Sequence, residues 1–160
     1  MSKFISVVLF SLIATVWSYQ VGAPETTCST MTPSHGVAAQ KSPFPYKISL
    51  NKKSVKANEI VNIQIQGKPF KGLLLQVRDS NQNAVGSFRI PATDSNFKAI
   101  NCHGQKQSAA THKNPSFKKD SSLDWQAPAE PGTYNAYATV VAENGYKFWV
   151  AQPIGTITVN

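Results

Sequence analysis

From residue 46 onward the chain alternates apolar and polar side chains in short runs, each closed by turn residues, and no run carries the 3.6-residue period of a long amphipathic helix. "YKISL" (46–50) runs into the polar turn "NKKSVKANE". "IVNIQIQ" (60–66) then alternates cleanly, with Val61, Ile63 and Ile65 on one face and Asn62, Gln64 and Gln66 on the other. "FKGLLLQVRDS" (70–80) is the most apolar stretch, framed by Lys68 and Lys71 and left through Arg78 and Asp79. "DSNQN" (79–83) has turn chemistry, and "AVGSFRI" (84–90), "NFKAI" (96–100), "SLDWQ" around Trp125, "TYNAYATVV" (133–141), "KFWV" (147–150) and "IGTITV" (154–159) read as further strands. Asn144-Gly145 is a strong hairpin signal, because a type I′ turn needs two residues that tolerate positive φ.

About eight short strands at this spacing predict an all-β fold, an immunoglobulin-like antiparallel sandwich of two sheets. The alternation puts Leu73, Leu75 and Val77 in the core, with Leu74 and Gln76 on the opposite face. One segment breaks the rhythm. "NCHGQKQSAATHKNPSFKKDSS" (101–122) has few apolar anchors and reads as a long polar loop, a length that usually goes with function or disorder.

The N-terminus is different. Lys3 precedes an apolar run of thirteen residues, "FISVVLFSLIATV" (4–16), and "VWS" offers a cleavage site before Tyr19. A membrane-spanning helix needs roughly 20 apolar residues, so the run predicts a signal peptide over 1–18 and a secreted, extracellular domain over 19–160. The two cysteines, Cys28 and Cys102, are expected to pair in an oxidising compartment. The one candidate glycosylation sequon, Asn114-Pro115-Ser116, is blocked by its proline.

Charge is uneven. The chain has a formal net charge of +8, and residues 19–119 carry fourteen basic against four acidic side chains. Such a balance favours anionic partners at low salt. Arg78 and Arg89 are the only arginines. Sequence-specific nucleic-acid readout, which favours the planar guanidinium fork, is therefore not expected. Lysine is a point charge that suits phosphate groups without strict geometry. The candidate ligand-binding residues are thus Lys52 and Lys53 (with Lys56 in the same turn), Lys68 and Lys71 around the apolar strand, and Lys113, Lys118 and Lys119 in the long polar segment.

Catalytic signatures such as GxSxG, HExxH, a phosphate-binding loop or a dinucleotide fingerprint do not occur. No enzymatic activity, cofactor or metal is expected, although His35, His103 and His112 would meet if the disulfide drew their segments together. Trp125 and Trp149 sit in strand-like runs and are expected in the core rather than at a sugar site; Tyr137 and Tyr146 can face outward.

"GAPETTCSTMTPSHG" (22–36), "FKGLLLQVRD" (70–79), the Cys102 region with "THK" (111–113), "DWQAP" (124–128) and "ATVVAENGYKFWV" (138–150) together resemble the reeler-domain family, in particular the small secreted insect proteins called putative defense, or noduler-like, proteins. The similarity spans nearly all of 19–160 in order. It implies an immunoglobulin-like sandwich secreted into haemolymph and acting in innate defence. Its implied partners are microbial surface polymers (lipopolysaccharide, lipoteichoic acid, β-glucan) and haemocytes that aggregate in response. It implies no catalytic residues. "THK" places Lys113 where the family pattern leads one to expect a hydroxyl residue. Reeler domains also occur in membrane reductases and neuronal matrix proteins, so an adhesion module is the second reading. A carrier holding a small apolar molecule between its sheets is the third.

Overall fold

The alternating runs become ten strands, described over residues 19–142 and 146–160 of a computed structural model. These are β1 (Tyr46–Leu50), β2 (Ser54–Val55), β3 (Ile60–Gly67), β4 (Phe70–Arg78), β5 (Ser87–Phe88), β6 (Phe97–Cys102), β7 (Gln105–His112), β8 (Ser121–Gln126), β9 (Gly132–Ala142) and β10 (Phe148–Val159). They form two sheets, ordered β1-β3-β8-β5 and β2-β10-β9-β4-β7-β6. All the pairings are antiparallel except the short parallel contact of β2 with the end of β10. The sandwich expected from the sequence is the fold observed. The predicted signal peptide over 1–18 and the predicted Asn144-Gly145 turn lie outside the described residues.

The faces follow the pleat. Val61, Ile63 and Ile65 of β3, with Leu123 and Trp125 of β8, meet Leu73, Leu75 and Val77 of β4 and Ala136, Ala138 and Val140 of β9 in one core. This inner layer is densely filled, and Trp125 is fully buried with its indole N–H donating to the Val85 carbonyl at 3.0 Å. The 147–150 and 154–159 runs belong to a single strand, β10, whose register shifts after Trp149 and again after Pro153.

The predicted loop at 101–122 is not a loop throughout. Its first half ends β6 and forms β7, which pairs with β4 and β6 inside the larger sheet. The buried residues of β7 are Ser108, Ala109, Ala110, Thr111 and His112. Small and hydroxylated side chains are what a strand covered on both faces can accommodate, and they carry no hydropathy signal. Only residues 113–120 connect β7 to β8 as an irregular segment.

β4 is buried on both faces, as a central strand read from a continuous apolar run should be. Its inner face meets the core. Its outer face is covered by residues 19–45, a strap that crosses the larger sheet before entering β1. Cys28 and Met31 of the strap pack with Leu74, Ala84, Cys102 and Ala109 in a second, smaller cluster. The Cys28–Cys102 disulfide, closing 74 residues, ties the strap to the end of β6.

Loop-closure entropy for this bridge stabilises the fold by about 4 kcal/mol. The double variant Cys28→Ala/Cys102→Ala is therefore expected to lose a comparable free energy of unfolding in urea. A loss below about 1 kcal/mol would show that the strap holds without its covalent tie.

Candidate ligand-binding surfaces

The strand registers sort the candidate lysines into two poles. One end of the sandwich gathers the starts of β1 and β4, the ends of β3, β7 and β9, and the 113–120 segment. Lys68, Lys71, Lys113, Lys118 and Lys119 are all at this end. A backbone bridge between Phe70 and Lys118 joins the β3–β4 turn to the 113–120 segment. Lys52 and Lys53 are at the other end, beyond Leu50, where the Thr158 N–H donates to the Lys53 carbonyl at 2.8 Å. Sequence order concealed this division.

The seven lysines also differ in what they touch. Lys68 and Lys119 are exposed. Lys113 is exposed as well, with its ammonium donating to the carbonyls of Ala92 and Asp94. Lys71 is half-buried, with its Nζ 5.0 Å from the centre of the exposed Phe117 ring. Lys52 forms an ion pair with Glu59, whose carboxyl is held below its usual range by Lys52 and by the Lys56 backbone N–H.

Lys118 is not a surface cation. It is 3% exposed, and its Nζ donates to the carbonyls of Asn114 and Ser116 at 2.8 Å each and of Lys71 at 3.2 Å. Burial pushes its pKa down from the ordinary value. The ammonium acts as the hub around which the 113–120 segment folds, satisfying carbonyls that regular strand pairing leaves unused.

Beside this pole is a cleft of about 630 Å³, lined by Lys68, Lys147, Tyr46, Trp149 and prolines 43, 45 and 69. Trp149 is buried, and its indole N–H donates to the Ser42 carbonyl at 2.9 Å, so little of this aromatic group is open to the cleft. Tyr146 is exposed and Tyr137 half-buried beneath Arg78.

Sequence reasoning missed a smaller site. Between the strap and the outer face of β4, β7 and β9 is an apolar pocket of about 90 Å³. His35 and His112 both border it, whereas His103 is elsewhere, accepting the Ala84 N–H at 2.9 Å and meeting the Ser29 hydroxyl. His35 and His112 thus share the pocket, while the disulfide brings His103, beside Cys102, to Ser29, beside Cys28. No cluster of three or more metal-ligating side chains occurs among the described residues.

His112 latches the strap. Its Nδ1 accepts the Leu73 N–H at 3.2 Å, leaving Nε2 protonated to donate to the Tyr19 carbonyl at 2.9 Å. Gly22 makes the approach possible, because at its φ of +109° a side chain is strained and a Cβ would fall 2.6 Å from the His112 carbonyl. Burial lowers the pKa of His112, an effect the nearby Lys118 and Lys98 reinforce and the hydrogen bond to the Tyr19 carbonyl opposes. Burial, and then His112, lower that of His35.

An antiparallel sandwich with a disulfide-tied N-terminal strap is the class these observations define. The fold matches the solved reelin-N domain of F-spondin with a TM-score of 0.61 at 13% identity, over 78% of this chain and 92% of that one. The Reeler domain model matches residues 26–160, and the chain belongs to the Reeler domain family. It is 34% identical over 148 residues to "Putative defense protein Hdd11" of Hyphantria cunea, covering 88% of each chain. It is 32% identical to "Putative defense protein 3" of Antheraea mylitta, over 96% of this chain and 94% of that one. A "Putative ferric-chelate reductase 1 homolog" of Drosophila melanogaster is 29% identical over 96% of this chain, which spans only 26% of that protein. No helix among the described residues is long and apolar enough to cross a membrane.

Two expectations follow from these contacts. Lys118→Met removes the donor to several buried carbonyls and is expected to cost about 1–3 kcal/mol in chemical denaturation, while Lys119→Met leaves the midpoint unchanged. Equal effects would dissolve the distinction between hub and surface lysine. The second concerns pH. Above the ordinary imidazole value of 6.5, His112 is neutral in the folded and unfolded chain alike. Below it the unfolded chain takes up a proton that the folded one resists, so stability falls with acidification. His35 contributes with the same sign. The Tm of the parent protein should therefore drop more between about pH 7.5 and pH 5 than that of His112→Gln; identical slopes would contradict a neutral latch.

Proposed function

We propose that this chain is a secreted, non-enzymatic innate-defence protein that binds anionic polymers of microbial surfaces through the lysine-bearing pole of its sandwich. The observation that carries this reading is the gathering of Lys68, Lys71, Lys113 and Lys119 at one end, beside a cleft large enough for a polymer segment. Lysines on separate loops present a field of point charges, which fits densely spaced phosphates such as those of lipopolysaccharide and lipoteichoic acid. The relatives named defense proteins, matched over nearly their whole length, support the same role. Lys118 belongs to the site as the residue that shapes the 113–120 segment.

The opposite pole supports less. Lys52 is neutralised by Glu59, and Lys53, Lys56 and Lys106 remain as its cations. Aggregation of haemocytes would then follow from two molecules meeting on one polymer, or from a second contact elsewhere on the surface. A matrix-adhesion module is the alternative, supported by the likeness to the F-spondin domain in fold alone.

The test is a pull-down on whole bacteria and yeast across a salt series, with lipopolysaccharide, lipoteichoic acid and β-glucan as soluble competitors. Binding is expected to weaken steeply between about 0.1 M and about 1 M salt, as the screening length shrinks from about 10 Å to about 3 Å. The triple variant Lys68→Ala/Lys113→Ala/Lys119→Ala should lose most binding, and Lys52→Ala/Lys53→Ala little. Absence of binding at every salt concentration would sink the reading and favour a protein partner.

A further inference from the structure

The pocket beneath the strap has a chemistry unlike that of the lysine pole. Ala23, Met31, Pro33, Leu74 and Val141 are the apolar side chains of its wall. Several of the polar groups that reach it are already engaged. The Thr139 hydroxyl donates to the Met31 carbonyl and accepts the Ala151 N–H, at 2.8 and 2.9 Å. Both His112 nitrogens are hydrogen-bonded, and the Thr27 hydroxyl donates to the Pro24 carbonyl. A sugar or phosphate placed inside would give up its hydration and find few partners, a costly exchange. An apolar group gives up nothing.

Size narrows the choice. At about 90 Å³ the pocket is smaller than the ~150 Å³ engineered cavity that holds benzene. It therefore suits a slender chain rather than a ring. The rim has the opposite character to the wall: Lys71 borders the opening with its ammonium beside the exposed Phe117, and Pro115 adjoins them. A cation next to exposed apolar surface is what an amphiphile meets on the way in.

We propose that the pocket under the strap binds the hydrocarbon chain of a monomeric anionic amphiphile, with the chain against Ala23, Met31 and Leu74 and the head group at Lys71. The site differs from the inter-sheet cavity that a carrier of this fold was expected to need, since the inter-sheet space is filled by the core. It also stands apart from the polymer-binding reading, because Lys71 is the only lysine of the pole among the residues that line the pocket.

Met31 provides a local reporter, since Met1 is the only other methionine in the chain. Protein carrying 13C-methyl methionine would be titrated with straight-chain carboxylates of increasing length, and with the matching alcohols, below their micelle concentrations. The Met31 methyl signal should shift saturably, with binding about fourfold tighter per added methylene until the pocket is full. Ala23→Phe, which fills the pocket, should abolish the shift. Lys71→Gln, at the rim, should weaken carboxylates several-fold and leave alcohols unchanged, and it keeps the test open if Ala23→Phe does not fold. No saturable shift at any chain length, an undiminished shift in Ala23→Phe, or binding only to intact phosphatidylglycerol vesicles would overturn the proposal. Retention of polymer binding by Ala23→Phe separates the two sites: loss of amphiphile alone speaks to the pocket, and loss of salt-sensitive polymer binding in the lysine variants speaks to the pole.

Discussion

The structure depends on β4 needing cover on two sides. Seven consecutive residues from Gly72 to Arg78 are buried, and a two-sheet sandwich shields only one face of any strand. The opposing sheet takes Leu73, Leu75 and Val77. Something else must take Leu74, Gln76 and Arg78, and the strap does so. Because the strap has almost no regular structure beyond the three-residue turn at Glu25–Thr27, it cannot hold its course by strand pairing. The disulfide, the His112 latch and the Thr139 hydroxyl take the place of a ladder.

That solution brings polar groups under cover and makes them pair. Gln76 and Arg78 reach outward from β4 and donate to the Cys28 carbonyl, and Arg78 also reaches that of Ser29. Arg78 further donates to the Gln76 side-chain oxygen, so the two side chains fix each other. A buried guanidinium without such partners would be strongly destabilising; here it anchors the strap through backbone carbonyls that lack other use. No buried side-chain nitrogen or oxygen among the described residues is left without a partner. The charge at the end of the apolar run is thus structural at Arg78 and open to solvent at Lys68, two roles that look alike in the sequence.

What could be read in advance follows from the same physics. The alternation of β3 and the continuous apolar run of β4 are hydropathy patterns, and both strands formed where expected. β7 was hidden because close packing on two faces selected Ser108, Ala109, Ala110 and Thr111, whose small side chains resemble those of a loop. The lysines were visible as candidates, but their division into two poles depends on strand register, which only the fold specifies. Lys118 shows the limit most sharply. Its neighbour Lys119 has the same chemistry and sits one residue away, yet one is the centre of a carbonyl cage and the other faces water. The pocket was illegible for a related reason, since its walls come from four separate segments that meet only once the strap is tied down.

Family membership constrains the scaffold more than the activity. The same domain forms about a quarter of a relative named as a ferric-chelate reductase homolog and nearly all of those named defense proteins, so function must reside in what this chain places on the common frame. Strands are poor places for such variation, because a change on either face of β4 disturbs the core or the strap. The 113–120 segment is freer. Centred on the buried Lys118 and pinned to the 92–96 turn by Lys113 and Asn114, it can still exchange exposed residues such as Lys119 without altering the hub, and it borders the lysine pole and the pocket rim together through Lys113, Lys119 and Pro115. Lysine charge and an apolar recess therefore lie on either side of one segment, where a few substitutions can change the surface and leave the fold intact.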